Sequence, residues 1–264
     1  MSEKPYVIRI SSQKGGVGKT TTAVNLAVSL ATNGYKTLLV DTDFSNPSVG
    51  FHLGLEDVNV GMQSLLMHKT KIQNAVIVHD PSGLHVLPCE INTKMSIASV
   101  EQVQYFKSEI LKGEYDFIVI DTPPGQLTPG IGNLYDEAII ITTPDLPALQ
   151  SVIKLATRYD HISLKHTLVV NRVKHKNYEI TSKNIEGMYE GKVMAILPES
   201  ELVPVSIAKH VPAILLDGKC VFSKAISQLS EQYTYKTEKQ GLKRDRSKRY
   251  GFLRTLIRFF TGKY

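Results

Sequence analysis

Residues 14–21, KGGVGKTT, constrain this chain more than any other stretch. Gly15, Gly16 and Gly18 allow backbone conformations that other residues avoid and let the main chain approach an anion closely. Successive N–H groups of such a loop, with the N-terminus of a following helix, cradle phosphate. Here an apolar segment, residues 6–10, leads into the loop, and a helical pattern over residues 20–31 leaves it. This strand–loop–helix context separates a working phosphate loop from a chance cluster of glycines. The expected nucleotide cradle is Gly15, Gly16, Val17, Gly18, Lys19, Thr20 and Thr21. Within it, Lys19 reaches the β- and γ-phosphates and the Thr20 hydroxyl binds Mg²⁺. The implied cofactors are ATP and Mg²⁺.

The same alternation continues along the chain. Short apolar runs at residues 36–40, 84–88, 115–120, 138–141, 167–170 and 193–197 read as strands. Residues 60–68, 99–112 and 147–161 read as helices. Strands apolar on both faces, alternating with helices, predict an α/β fold: a mostly parallel twisted sheet with helices on both faces. Ligands of such sheets bind beyond the carboxyl ends of the strands. Asp41 and Asp43, Asp121, Asn171, and Pro198 with Glu199 all follow predicted strands there.

Composition limits the alternatives. The chain has 264 residues, 42% hydrophobic and 21% charged, enough for one large domain with a full core. No apolar run approaches the ~20 residues of a membrane-spanning helix. The first residues, MSEKPYVIRISS, lack a secretory pattern, so a cytoplasmic location is expected. Cys89 and Cys220 form no CxxC pair, which fits a reducing compartment and argues against a cysteine-held metal or cluster within one chain.

Charge is unevenly spread. Residues 236–264 carry ten Lys/Arg against two acids, and the first 235 residues are slightly acidic although the whole chain is +6. The expected organisation is a catalytic domain over residues 1–235, a basic linker over 236–250 and an amphipathic segment over 251–264. In that last segment, at about 100° per residue, Phe252, Leu253, Leu256, Ile257, Phe259 and Phe260 gather on one face. Arg254 and Arg258 share the other. A short helix with an apolar face, basic flanks and a basic polar side suits the surface of an anionic membrane. One copy binds marginally, whereas two tethered copies gain avidity.

Lys14, at the head of the glycine loop, is unusual. With it, the sequence KGGVGKTT resembles the deviant Walker A family of ATPases, which includes MinD, ParA, Mrp and the nitrogenase iron protein. The resemblance spans about residues 5–264 and is strongest to MinD, through the LPES and ITTPDLPALQS stretches and the C-terminal GFLRTLIRFF. It implies that Lys14 crosses a homodimer interface to the partner's nucleotide and that ATP drives the dimer together. It also implies that Asp43 orients the attacking water, Asp41 lies near the Mg²⁺ shell and Asp121 holds Mg²⁺ through water. Asp121 would open a γ-phosphate-sensing loop, DTPPG. Asn171, Pro198 and Glu199 would lie near adenine. The implied activity is slow, partner-stimulated ATP hydrolysis. The implied role is spatial positioning on the cytoplasmic face of the cell membrane, with an unidentified regulatory or cargo protein.

Two departures keep other members of the family in view. Ser48 occupies a position where MinD and ParA proteins usually carry Asn, and with the ThrProProGly of residues 122–125 it looks more like Mrp. The alternatives are a ParA-type DNA or cargo partition ATPase and an Mrp-like iron–sulfur carrier. The slightly acidic body and the six apolar tail residues argue against nucleic acid as partner, and the missing CxxC argues against a cluster.

Overall fold

The computed structural model describes residues 4–55, 57–93, 95, 98–125 and 134–238. In chain order the elements are β1 (Tyr6–Ser11), α1 (Lys19–Thr32), β2 (Thr37–Asp41), α2 (Val49–Leu53), α3 (Met62–Leu66), α4 (Ile72–Ala75), β3 (Ile77–His79), β4 (Leu84–Leu87) and α5 (Val100–Lys112). They continue with β5 (Phe117–Asp121), β6 (Glu137–Thr142), α6 (Leu146–His161), β7 (His166–Val173), α7 (Ser182–Tyr189), β8 (Val193–Pro198), α8 (Leu202–Ala208), α9 (Ala213–Leu216) and α10 (Val221–Glu238).

The strands form one sheet in the order β3-β4-β2-β5-β1-β6-β7-β8. All pairs are parallel except β3 with β4, where a tight turn at Gly83 returns the chain antiparallel. The inner strands are apolar on both sides because both sides are covered. On β5, Ile118 and Ile120 face a core closed by α3, α5 and α6. Phe117 and Val119 face the opposite core, closed by α1 and α10. A one-residue slip in such a strand would exchange its two faces, so packing fixes the register. Asp41 and Asp121, the last residues of β2 and β5, are register partners. The sheet thereby sets two acids side by side beneath the glycine loop.

Helix α1 is buried along nearly its whole length, between the sheet and α10. Its polar residues are satisfied inside. Ser29 Oγ lies 2.7 Å from Ser230 Oγ on α10. Asn25 donates to Thr21 O at 2.8 Å and accepts from Ile214 N at 3.0 Å. The far end of α10 is tied to the amino-terminal edge of the sheet. Glu137, fully buried on β6, accepts from Tyr6 Oη at 2.8 Å and from Lys236 Nζ at 3.1 Å. The helix runs three residues beyond the domain boundary expected at 235, and Thr237 is buried. The remainder of the predicted linker and the whole predicted membrane segment, including Phe252, Leu253, Leu256, Ile257, Phe259 and Phe260, lie outside the described residues. Among the described residues, no helix is long and apolar enough to cross a membrane.

Candidate nucleotide and metal site

The glycine loop joins the end of β1 to the start of α1. Gly16 and Gly18 have φ of 76° and 92°, in the region open to glycine. A side chain on Gly18 has no room either, since its Cβ would lie 2.2 Å from Asn171 Nδ2. Asn171, delivered by β7, donates that amide to Val17 O at 2.8 Å and so supports the loop from below. Thr22 Oγ1 donates to Gly18 O at 2.8 Å, and Ser12 Oγ donates to Lys14 O at 2.6 Å. Helix α1 has no acidic residue in its first turn, so its N-terminal N–H groups present an undiluted positive end. Lys19 is buried within this turn, and its charge acts on Asp121.

Around Thr20 the chain gathers a compact polar cluster. Thr20 Oγ1 donates to Asp121 Oδ2 at 2.6 Å. Asp41 Oδ1 accepts from Asp43 N at 2.9 Å, and its Oδ2 accepts from Ser48 N and Val49 N at 3.2 Å. Asp43 Oδ1 accepts from Asn46 N at 3.0 Å, at the more open edge. Thr42 Oγ1 donates to Asp121 O at 2.7 Å, and Gly125 N to Ser12 O at 2.8 Å, which fixes both ends of the Asp121–Gly125 turn. Burial pushes the Asp41 carboxyl up to about 6. Burial, with the Asp41 charge beside it, pushes Asp121 up to about 7.

These features fit a divalent cation. Asp121 Oδ1 is buried and has no hydrogen-bond partner among the described residues. A neighbouring cation would relieve both the desolvation and the mutual repulsion of the two acids. Among the described residues no group of three or more His, Cys, Asp or Glu makes a ready cage. The Thr20 hydroxyl beside the Asp121 carboxylate suits Mg²⁺, which takes one or two protein oxygens and completes its shell with water and phosphate.

The other end of the site is open. Gly16, Gly18 and Thr21 line a cavity of about 270 Å³ together with Asn171, Pro198 and Glu199, so three residues predicted from strand ends do meet the glycine loop. Arg172 joins them and forms a fork with Glu199, Nε to Oε2 at 3.0 Å and Nη2 to Oε1 at 3.1 Å. It has a φ of 61° at an irregularity in the β7–β8 register and lines this cavity. Lys14 is exposed, and its ammonium lies 3.9 Å from Asp145, which caps α6 by accepting from Ala148 N at 2.9 Å. Gly15 is exposed beside it, with nothing within 4 Å of a would-be Cβ.

Sequence reasoning missed several contributors. Arg172 stands next to Asn171 but gives no signal without its partner Glu199, 27 residues away. Cys89, buried two residues beyond β4, donates its thiol to Asp41 O at 3.3 Å, and burial raises its pKa strongly. Ser48, noted only as a departure, donates to Thr20 Oγ1 at 3.0 Å.

The chain matches the AAA domain family over residues 5–172. It is 31% identical to the septum site-determining protein MinD of Synechocystis, over 86% of this chain and 88% of that protein. Identity to MinD of Thermotoga maritima is 29%, over 86% and 87%. Among solved structures, MinD of Pyrococcus horikoshii complexed with Mg-ADP superimposes with a TM-score of 0.78 at 26% identity, covering 87% of this chain and 96% of that one. With the glycine loop, the paired strand-end acids and the parallel sheet that positions them, these likenesses show that the chain belongs to the MinD/ParA family of P-loop ATPases.

Proposed function

We propose that this protein is a MinD-like ATPase in which ATP-driven dimerisation controls residence on a membrane. The observation that carries the nucleotide reading is the orphaned, buried Asp121 Oδ1 beside Thr20 at the mouth of the glycine loop. Residues 15–21 bind the phosphates through backbone N–H groups and Lys19. Thr20, Asp121 and Asp41 hold Mg²⁺, which when bound neutralises charge on the phosphates. Asp43 orients the attacking water from its more open position. Asn171, Pro198 and Glu199 receive the base end. The Mg-ADP bound to the Pyrococcus protein supports this assignment.

Lys14 supports the dimer reading. It is exposed at the loop, and its contact with Asp145 is long and solvated, a kind of pair that contributes little. It is therefore free to reach the nucleotide of a partner. Hydrolysis is slow in the monomer and stimulated by a regulatory or cargo protein. The apolar residues within 252–260 and the basic residues before them in the sequence support binding of the dimer to anionic lipid at the cytoplasmic face of the membrane. The septum-site role named for its relatives suggests spatial positioning as the output.

The test is co-sedimentation with anionic liposomes in ATP, ADP and no nucleotide, for the full chain and for one ending at residue 250. The full chain should pellet with ATP and largely remain soluble with ADP. Truncation should abolish pelleting while leaving nucleotide binding intact. Equal sedimentation of the two chains would overturn the membrane assignment.

A further inference from the structure

Ser48 touches three separate parts of the site. Its hydroxyl donates to Thr20 Oγ1 at 3.0 Å. Its backbone N–H donates to Asp41 Oδ2 at 3.2 Å. Its carbonyl lies 2.9 Å from His52 Nδ1, and His52 Nε2 lies 3.4 Å from Thr21 Oγ1. A carbonyl can only accept, so His52 carries its proton on Nδ1 and takes the Thr21 hydroxyl at Nε2. One residue thus links the glycine loop, the acid at the end of β2 and the first turn of α1.

The hydroxyl chemistry gives this link a direction. Thr20 has one proton and two lone pairs. Its proton goes to the Asp121 carboxylate at 2.6 Å, so the Ser48 contact uses the Ser48 proton and occupies one Thr20 lone pair. A single lone pair remains. We infer that Ser48 is a positioning residue for the divalent cation, locking the Thr20 hydroxyl rotor so that its free lone pair has one orientation. The same residue holds Asp41, so cation binding at Thr20 is coupled to the segment from Asp41 to Val49. This inference rests on the nucleotide–metal reading of the site and assigns a role to a side chain outside the expected ligand set.

The Ser48 hydroxyl caps no N–H of α2, so Ser48→Ala removes the positioning contact without removing a helix cap. Mn²⁺ is titrated into the full-length protein saturated with ADP, and free Mn²⁺ is followed by its electron paramagnetic resonance signal. Ser48→Ala should weaken Mn²⁺ binding by about three- to tenfold, the range of one hydrogen bond. Ser48→Thr should restore it to within about twofold. ADP affinity in EDTA should be the same in all three proteins, which a general structural defect would not allow. Unchanged or tighter Mn²⁺ binding in Ser48→Ala would overturn the inference. A wild-type ADP complex that takes up no Mn²⁺ would instead overturn the nucleotide–metal reading itself.

Discussion

The metal end and the base end of the site are built in opposite ways. At the metal end, Asp41 and Asp121 are almost wholly buried on adjacent central strands, and hydrogen bonds from Thr20, Thr42, Asp43, Ser48 and Val49 hold them. At the base end, β7 is next to the edge strand β8, and Arg172 and Glu199 meet in a partly solvent-exposed pair. Groups fixed before a ligand arrives act without reorganisation, which matters where charge develops during phosphoryl transfer. Groups at an open edge secure a ligand by fit and tolerate adjustment. The difference predicts that substitutions at the metal end will be severe and those at the base end mild.

The largest expected effect lies at Lys19. Lys19→Ala should lower ATP turnover by at least about a hundredfold, the scale of losing one preorganised charge at a reacting phosphate. Single-turnover phosphate release would measure it, and a loss under tenfold would contradict the contrast. Gly18→Ala should come next, because it joins the two ends. The new Cβ would meet Asn171 Nδ2 at 2.2 Å, and the backbone would be held at a φ of 92°. The strain alone is about 1–2 kcal/mol. Nucleotide affinity, read by calorimetry with and without Mg²⁺, should fall at least about tenfold in both conditions.

The same contrast governs what could be read before the structure was known. The central strands and the glycine loop were legible because continuous apolar runs such as FIVI, ending in Asp121, have one sensible place in a covered sheet. The predicted bounds of the central strands differ from the observed ones by at most two residues. Helix α10 escaped the reading. Its buried Phe222, Ile226, Leu229 and Tyr233 follow helical spacing, but Ser223 and Ser230 share that face and dilute the apolar signal. Ser230 makes sense against α1, where it meets Ser29, and Ser223 closes a local turn with Cys220 Sγ at 3.2 Å. Strand β3 has three residues and one buried side chain, too little for a pattern. The Ser48–Thr20 and Arg172–Glu199 contacts join segments 28 and 27 residues apart, which local spacing does not encode.

A smaller effect should appear in the pH dependence of stability without metal or nucleotide. The folded chain raises Asp41 to about 6 and Asp121 to about 7, against ordinary carboxyl values near 3.9. Between about pH 4 and 7 the folded state therefore holds protons that the unfolded state has released. Stability from these groups is present below that window and is lost as pH rises through it. The metal-free protein should melt at a lower temperature at pH 8 than at pH 5 by a margin that narrows in Asp121→Asn. Mg²⁺ with ADP should flatten the wild-type difference, because a bound cation favours the ionised acids. A wild-type difference no larger than that of Asp121→Asn would show that the buried acids do not titrate as their surroundings dictate.

The smallest effect belongs to Arg172. Its fork with Glu199 has good geometry, yet the two side chains are 51% and 31% exposed. Exposed pairs of this kind contribute about 0.2–1 kcal/mol. Arg172→Ala should therefore change ATP affinity by no more than about fivefold and leave Mn²⁺ binding to the ADP complex unchanged, since no bond ties it to Thr20 or Asp121. The useful measurement is a comparison of ATP and GTP affinities in wild type and variant. A loss confined to one base would sharpen the contrast, assigning Arg172 to base selection at an adjustable edge. A loss of tenfold or more for both nucleotides, with weakened Mn²⁺ binding, would break it. The base end would then be as preorganised as the metal end, and Arg172, which also lies 3.5 Å from Gly16 O, would be acting through the glycine loop.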